Sequence, residues 1–83
     1  MIHKLYSIRD SKSEHFLQPI LQKTHGEAER TFKDLANNKE TTVSRNPEDY
    51  DLYYLGEFND ITGKYESLDT PQHIIKAVQL ITQ

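Results

Sequence analysis

The chain has 83 residues, of which 35% are apolar and 28% charged, and its formal net charge at pH 7 is −3. This length predicts one domain, residues 1–83, whose thin core buries only about 60% of the surface that the unfolded chain exposes. No apolar run approaches the roughly 18 residues of a membrane span and no leader-like segment is visible, which predicts no membrane contact. The lack of cysteine excludes disulfides and thiolate zinc sites and favours a cytosolic location.

Two strands are predicted at the start of the chain. Residues 2–9 alternate in polarity, with Ile2, Tyr6 and Ile8 on one face. A second short strand is predicted over 15–21, with Phe16 and Ile20 sharing a face. Because Pro19 cannot donate to a strand ladder, this strand is expected at a sheet edge.

A helix is predicted next. The segment Thr24-His25-Gly26-Glu27 matches a capping box, in which the Thr24 hydroxyl caps an amide of the first turn. The pair Asn37-Asn38 is expected to end the helix. Between them, one apolar stripe suited to packing on a sheet is formed by Ala28, Phe32, Leu35 and Ala36.

The centre of the chain predicts a loop followed by a hairpin. Residues 39–50 have no period and are predicted to form a loop. Residues 51–58 alternate clearly and predict a strand, and residues 59–63 suit a hairpin connection to an antiparallel strand over 64–68. In this register Tyr65 lies opposite Glu57 and beside Tyr53. One face of the strand then carries Leu52, Tyr54, Gly56 and Phe58.

The last segment predicts a second helix over 71–81, because Thr70-Pro71 suits an N-cap with proline at the first helical position. Ile74, Val78 and Ile81 share its stripe. A strand remains the alternative, since alternate residues from Ile75 onward are also mostly apolar. The predicted fold is α+β with the order β-β-α-β-β-α, an antiparallel sheet of about four strands with helices on one face and the other face bare.

No group of residues predicts catalysis or a cofactor. The four histidines lack metal-ligand spacing, and no serine lies in a nucleophile motif. The acidic residues Glu48, Asp49 and Asp51 do not match a calcium loop, so a cation-dependent nuclease is a remote alternative. The sequence therefore predicts a non-enzymatic protein without metal or cofactor.

Aromatic residues interleaved with cations give the candidate site. Tyr53 and Tyr65 on the bare sheet face, beside Arg9 and His3, would form a platform on which unpaired bases stack. Lys12 in the first turn and Arg45 in the long loop extend the positive track. The plainer alternative is a cross-strand tyrosine pair or a dimer contact.

Several segments resemble one viral family. They are Lys4-Leu5-Tyr6-Ser7-Ile8-Arg9-Asp10, the Glu27-Ala28-x-Arg30-x-Phe32 of the predicted helix, and the block from Asn46-Pro47 to Asn59-Asp60 with Gly63. They look like the small nonstructural protein of Microviridae, single-stranded-DNA phages, in the chlamydia-phage-like gokushovirus group. At these matching positions Gly56 would permit close packing or a bulge, and Gly63 would permit a positive φ in the hairpin. Pro47 would fix the direction in which the chain enters the strand.

The resemblance implies a nonstructural phage protein of the host bacterial cytoplasm, commonly described as DNA-binding and acting in replication or packaging. The leading hypothesis is a single-stranded-DNA-binding protein that forms a small homo-oligomer, at its simplest a homodimer. The alternative is an adaptor that contacts phage replication or capsid proteins through the exposed tyrosines and Leu55, without direct contact to DNA.

Overall fold

The computed structural model describes residues 1–82 and contains an antiparallel sheet with its helices on one face. The strands are β1 (Ile2–Asp10), β2 (His15–Phe16), β3 (Ile20–Gln22), β4 (Tyr50–Asn59) and β5 (Tyr65–Lys76). The helices are α1 (His25–Ala36) and α2 (Thr42–Arg45), with 3-10 turns at Pro47–Asp49 and Ala77–Leu80. No helix in this part of the chain is long and apolar enough to cross a membrane.

The sheet is four strands wide. Its order is β2-β1-β4-β5, and β3 pairs with the same strand β1 as β2 does. The predicted second strand is therefore an edge strand broken around Pro19. Phe16 pairs with Arg9 whereas Ile20 pairs with Tyr6. Since opposite residues share a face, the prediction that Phe16 and Ile20 lie on one face was wrong.

The core lies between the sheet and α1. Tyr6 and Leu52 are fully buried beneath Ala28 and Phe32 of the helix. The helix begins as predicted, because the Thr24 side chain accepts a hydrogen bond from the Glu27 amide at 3.1 Å. It ends at Asn37.

The segment predicted as a loop over 39–50 contains α2 and a 3-10 turn instead. The Thr41 side chain caps α2 by accepting from the Ser44 amide at 3.1 Å, and Val43 is buried in the core. The loop prediction failed because one turn of helix with a single buried residue is too short to produce a helical period.

The predicted helix over 71–81 is also wrong. Strand β5 continues to Lys76, pairing Ile75 with Leu52, and only Ala77–Leu80 forms a 3-10 turn. The element order is thus β-β-β-α-α-β-β. The strand alternative prevailed because β4 carries buried side chains and needs a partner along its free edge, which outweighs local helix propensity.

Strand β4 contains a β-bulge at Leu55. Tyr54 pairs with Tyr6 but Gly56 pairs with Leu5, so Leu55 has no partner in β1. On its other side β4 pairs with β5, where Gly56 pairs with Ser67 and Tyr54 with Gln72, so residues 68–71 of β5 lie opposite Leu55 without a partner in the register. Because one extra residue inverts the alternation, Phe58 lies on the open face and not on the helix face, which corrects the predicted pattern.

The C-terminal segment stays on the helix side of the sheet. The Asn37 side chain donates to the Leu80 carbonyl at 3.0 Å and accepts from the Thr82 amide at 2.8 Å. The end of α1 thereby holds the described C-terminal residues against the helix layer. The opposite face of the sheet is left uncovered by this segment.

Candidate nucleic-acid interface

The uncovered sheet face, here called the open face, is defined by the strand registers. It contains every second residue of β1 together with the residues paired to them. The paired positions are His3, Leu5, Ser7, Arg9, Phe16, Leu21, Asp51, Tyr53, Gly56, Phe58, Tyr65, Ser67, His73 and Lys76.

Three rings form a row across the open face. The Tyr53 ring lies edge-on to Phe16 on one side, with centroids 5.4 Å apart, and to His73 on the other, at 5.3 Å. The row passes over Ser7, which is 1% exposed and donates its hydroxyl to the Leu17 carbonyl. Edge-to-face contacts on both sides fix the Tyr53 ring while Phe16 and His73 remain exposed.

A second aromatic pair lies nearer the hairpin turn. Tyr65 pairs with Phe58, and not with Glu57 as predicted, and the two rings are 4.7 Å apart with planes inclined by 36°. Tyr65 is on the same face as Tyr53, as predicted, but next to Phe58 rather than beside Tyr53. It is 62% exposed, so a large part of its surface is free for contact.

Charged residues lie in the next row of the sheet. Arg9, Asp51 and Lys76 are consecutive cross-strand neighbours on β1, β4 and β5. The Asp51 carboxylate is nearly buried and lies 2.9 Å from His73 Nε2 and 3.4 Å from Lys76 Nζ. Arg9 is half-buried and forms no hydrogen bond or ion pair through its side chain within residues 1–82.

The open face differs in charge from the rest of the protein. Among its paired positions, Asp51 is the one acidic residue, whereas Arg9 and Lys76 are cationic. Glu57 and Glu66 pair with each other on the opposite face. A net charge of −3 for the chain therefore coexists with a locally basic aromatic surface.

His3 lies on the open face but at the far end of the sheet, opposite Phe58. Its Nε2 is 2.9 Å from the Asp60 carboxylate, which also accepts from the Met1 amino group at 2.7 Å. These bonds, first that from Met1 and then that from His3, lower the pKa of Asp60. His3 is thus hydrogen-bonded to a carboxylate and lies far from Arg9 along β1.

The other predicted cations are split between the two sides of the molecule. Lys12 is exposed in the turn after β1, next to the Arg9 end of the open face, and its amide donates to Asp10 at 2.9 Å. Arg45 ends α2 on the helix side and donates to the Glu40 carbonyl at 3.3 Å. The structure therefore brings Arg9, Tyr53 and Lys12 to one end and leaves Arg45 behind the sheet.

Sequence reasoning missed Phe16, Phe58, His73 and Lys76 on this surface. Phe58 was placed on the face of Leu52 and Tyr54 because the bulge disturbs the period of two, and Phe16 was placed on the face of Ile20 because the break of the strand around Pro19 was not foreseen. His73 and Lys76 fell in the segment predicted as helix. Their signal was present in the weak alternation that favoured a strand there.

A different cluster lies at the border of the helix layer. Tyr6 hydrogen-bonds through its hydroxyl to Nδ1 of His25, and the Tyr54 ring contacts both, with Lys4 above it at 5.7 Å. Burial, followed by the nearby Tyr54, raises the pKa of Tyr6 to about 12. This cluster joins α1 to the sheet. Over residues 1–82, no three metal-binding side chains come together anywhere.

The fold and this surface define a small α+β domain with an open, aromatic sheet face. The family model of the Phage ORF5 protein matches residues 3–80, so the chain belongs to the Phage ORF5 protein family and is a phage protein. Comparisons with curated proteins and with solved structures give no match.

Proposed function

We propose that the protein binds single-stranded DNA on the open face, as a non-enzymatic nonstructural protein of a Microviridae phage. It would act in genome replication or packaging in the host bacterial cytoplasm. The observation that carries the proposal is the row of rings Phe16, Tyr53 and His73 lying directly beside Arg9 and Lys76 on an uncovered face. Membership of the Phage ORF5 protein family supports the phage part of the proposal.

Unpaired bases match this surface better than a duplex does. A base that stacks on an exposed aromatic ring gains about 1 to 3 kcal/mol whatever its identity, and a duplex hides those base faces. The open face has two such places, the Tyr53 row and the Phe58–Tyr65 pair. A single strand that lies along β4 would meet both.

The expected electrostatic contribution is modest. If Arg9, Lys76 and Lys12 contact two or three phosphates, affinity should fall about 7- to 18-fold between 50 and 200 mM salt, from a slope of about −0.7 per phosphate on a single strand. A homodimer that places two open faces side by side would double the number of contacts. We expect weak binding by a monomer and steeper salt dependence in a dimer.

Fluorescence anisotropy with a labelled thymidine oligonucleotide tests the proposal. Arg9→Gln should weaken binding several-fold, whereas the matched change Arg45→Gln, behind the sheet, should have little effect. Tyr65→Ala should also weaken binding, and its 62% exposure means that the fold should survive the change. Equal affinity of all three variants and the wild type, or no binding at low salt, would contradict the proposal.

A second function is favoured by apolar side chains at the hairpin end of the sheet. Ile61 is 82% exposed and Leu68 37% exposed, close in sequence to the exposed Tyr65. Exposed apolar groups rimmed by charge are typical of protein-interaction surfaces. An adaptor for phage replication or capsid proteins would use this end. Recovery of those proteins from infected cells after nuclease treatment, lost in Ile61→Ser, with no binding to oligonucleotide, would support it.

A further inference from the structure

We infer that Arg9, His73 and Lys76 form one phosphate-binding subsite on the open face, which Asp51 organises from below. The inference rests on the proposed function and deepens it. It places one backbone phosphate of the bound strand at the end of the sheet that carries Arg9 and Lys76. The base next to this phosphate could then stack on the Tyr53 row.

The backbone places the three side chains around one point. Arg9 and Lys76 each lie one strand away from Asp51, so about 10 Å separates their backbones, at about 4.8 Å per strand. Both side chains are long enough to reach a common position above Asp51. His73 reaches the same position from β5, because its Nε2 is already 2.9 Å from the Asp51 carboxylate.

The cations retain free donors. Lys76 donates to the Glu48 carbonyl at 3.2 Å and lies 3.4 Å from Asp51, which leaves the third hydrogen of its ammonium group for a ligand. Within residues 1–82 the Arg9 guanidinium has all five donors free. A guanidinium presents paired donors in the geometry that a phosphate accepts.

Asp51 has a positioning role and not a binding role. Its side chain is 12% exposed, so a ligand meets His73 and Lys76 before it meets the carboxylate. The carboxylate fixes His73 through a hydrogen bond and Lys76 through an ion pair. The negative carboxylate also neutralises part of the Lys76 charge, and this loss of positive charge opposes the approach of an anion. Removing the charge while keeping a hydrogen-bond acceptor should therefore tighten phosphate binding.

The test measures oligonucleotide affinity as a function of salt for variants with matched charge changes. Asp51→Asn should bind about three- to five-fold more tightly than the wild type, estimated from the loss of one nearby negative charge. Asp34→Asn, on the exposed side of α1, makes the same change in net charge and should alter affinity by less than about 1.5-fold. Lys76→Gln should weaken binding and reduce the salt slope by about 0.7, whereas Lys33→Gln on α1 should not.

The outcomes separate the subsite from the proposed function. If the wild type binds no oligonucleotide, the proposed function and the inferred subsite are both wrong. If it binds, but Lys76→Gln and Asp51→Asn behave as Lys33→Gln and Asp34→Asn do, the cluster is a structural ion pair and the inference is overturned. Should Asp51→Asn fail to fold, a Lys76→Gln salt slope that matches the wild type would still overturn it.

Discussion

Replacement of Gly56 tests the bulge on which the open face depends. Gly56 has φ +152°, and a Cβ added there would lie 2.1 Å from the Glu66 carbonyl oxygen and 2.9 Å from Ser67 Cα. Both obstacles are backbone atoms of the paired strand. The contact with the Glu66 carbonyl oxygen would have to lengthen from 2.1 Å to at least 3.4 Å, so the β4 and β5 backbones would have to separate by about 1.3 Å.

The cost of Gly56→Ala follows from two contributions. Overpacking against a fixed neighbour costs about 1 to 3 kcal/mol, and a positive φ in a residue with a side chain costs about another 1 to 3 kcal/mol. The sum, about 2 to 6 kcal/mol, compares with a total stability of about 4 to 12 kcal/mol for a chain of this size. We expect Gly56→Ala to be largely unfolded or severely destabilised.

Two other glycines provide graded controls. Gly63 has φ +75° in the hairpin turn with nothing within 4 Å of an added Cβ, so Gly63→Ala should cost about 1 kcal/mol from backbone strain alone. At Gly26, in the first turn of α1, an added Cβ would lie 3.8 Å from Thr24 Oγ1, an ordinary contact. Gly26→Ala should stabilise the protein by about 0.5 kcal/mol, because alanine loses less entropy in a helix.

Urea unfolding followed by circular dichroism ranks the three variants. With a slope of about 1.2 kcal/mol per molar urea, Gly56→Ala should move the midpoint down by about 2 to 5 M, or abolish the transition. Gly63→Ala should move it by less than about 1 M. If Gly56→Ala is no less stable than Gly63→Ala, β4 and β5 are not in close contact at Gly56 and the assignment of the open face is wrong.

Two further predictions concern the helix layer. Asn37→Ala should cost about 1 to 2 kcal/mol and make the C-terminal segment more sensitive to protease, because the bonds to Leu80 and Thr82 are lost; unchanged proteolysis would contradict this role. Wild-type stability should decline between about pH 10 and pH 12, because Tyr6 ionises near 10 when unfolded but near 12 when folded. The decline, of the order of 1 kcal/mol, should be smaller in Tyr6→Phe, as measured by urea unfolding at pH 9 and about pH 11.

Local signals in the sequence were sufficient to predict β1, α1 and the first half of β4. A period of two, an N-cap threonine and a stripe of small and aromatic residues each act within one element, and the structure confirms all three. The conformations anticipated for Gly56 and Gly63 are also confirmed. These features depend on the backbone preferences of a few adjacent residues, so the sequence of a short segment is enough to predict them.

Features set by distant partners could not be predicted in the same way. Whether Pro71 starts a helix or interrupts a strand depends on the free edge of β4, since Pro71 lies in the segment of β5 that passes the bulge without pairing. The prediction of the candidate site suffered most from this dependence on distant partners. His73 and Lys76 reach the Asp51 carboxylate only because β5 continues as a strand to Lys76.

The bulge at Leu55 connects the fold to the proposed binding surface. With uninterrupted alternation, Phe58 would share the face of Leu52 and Tyr54, and the open face would have only the Tyr53 row. The extra residue turns Phe58 to the open face, where it pairs with Tyr65. Gly56 permits this turn because it alone fits against the Glu66 carbonyl. The same glycine should therefore be required both for stability and for the second place at which a base can stack.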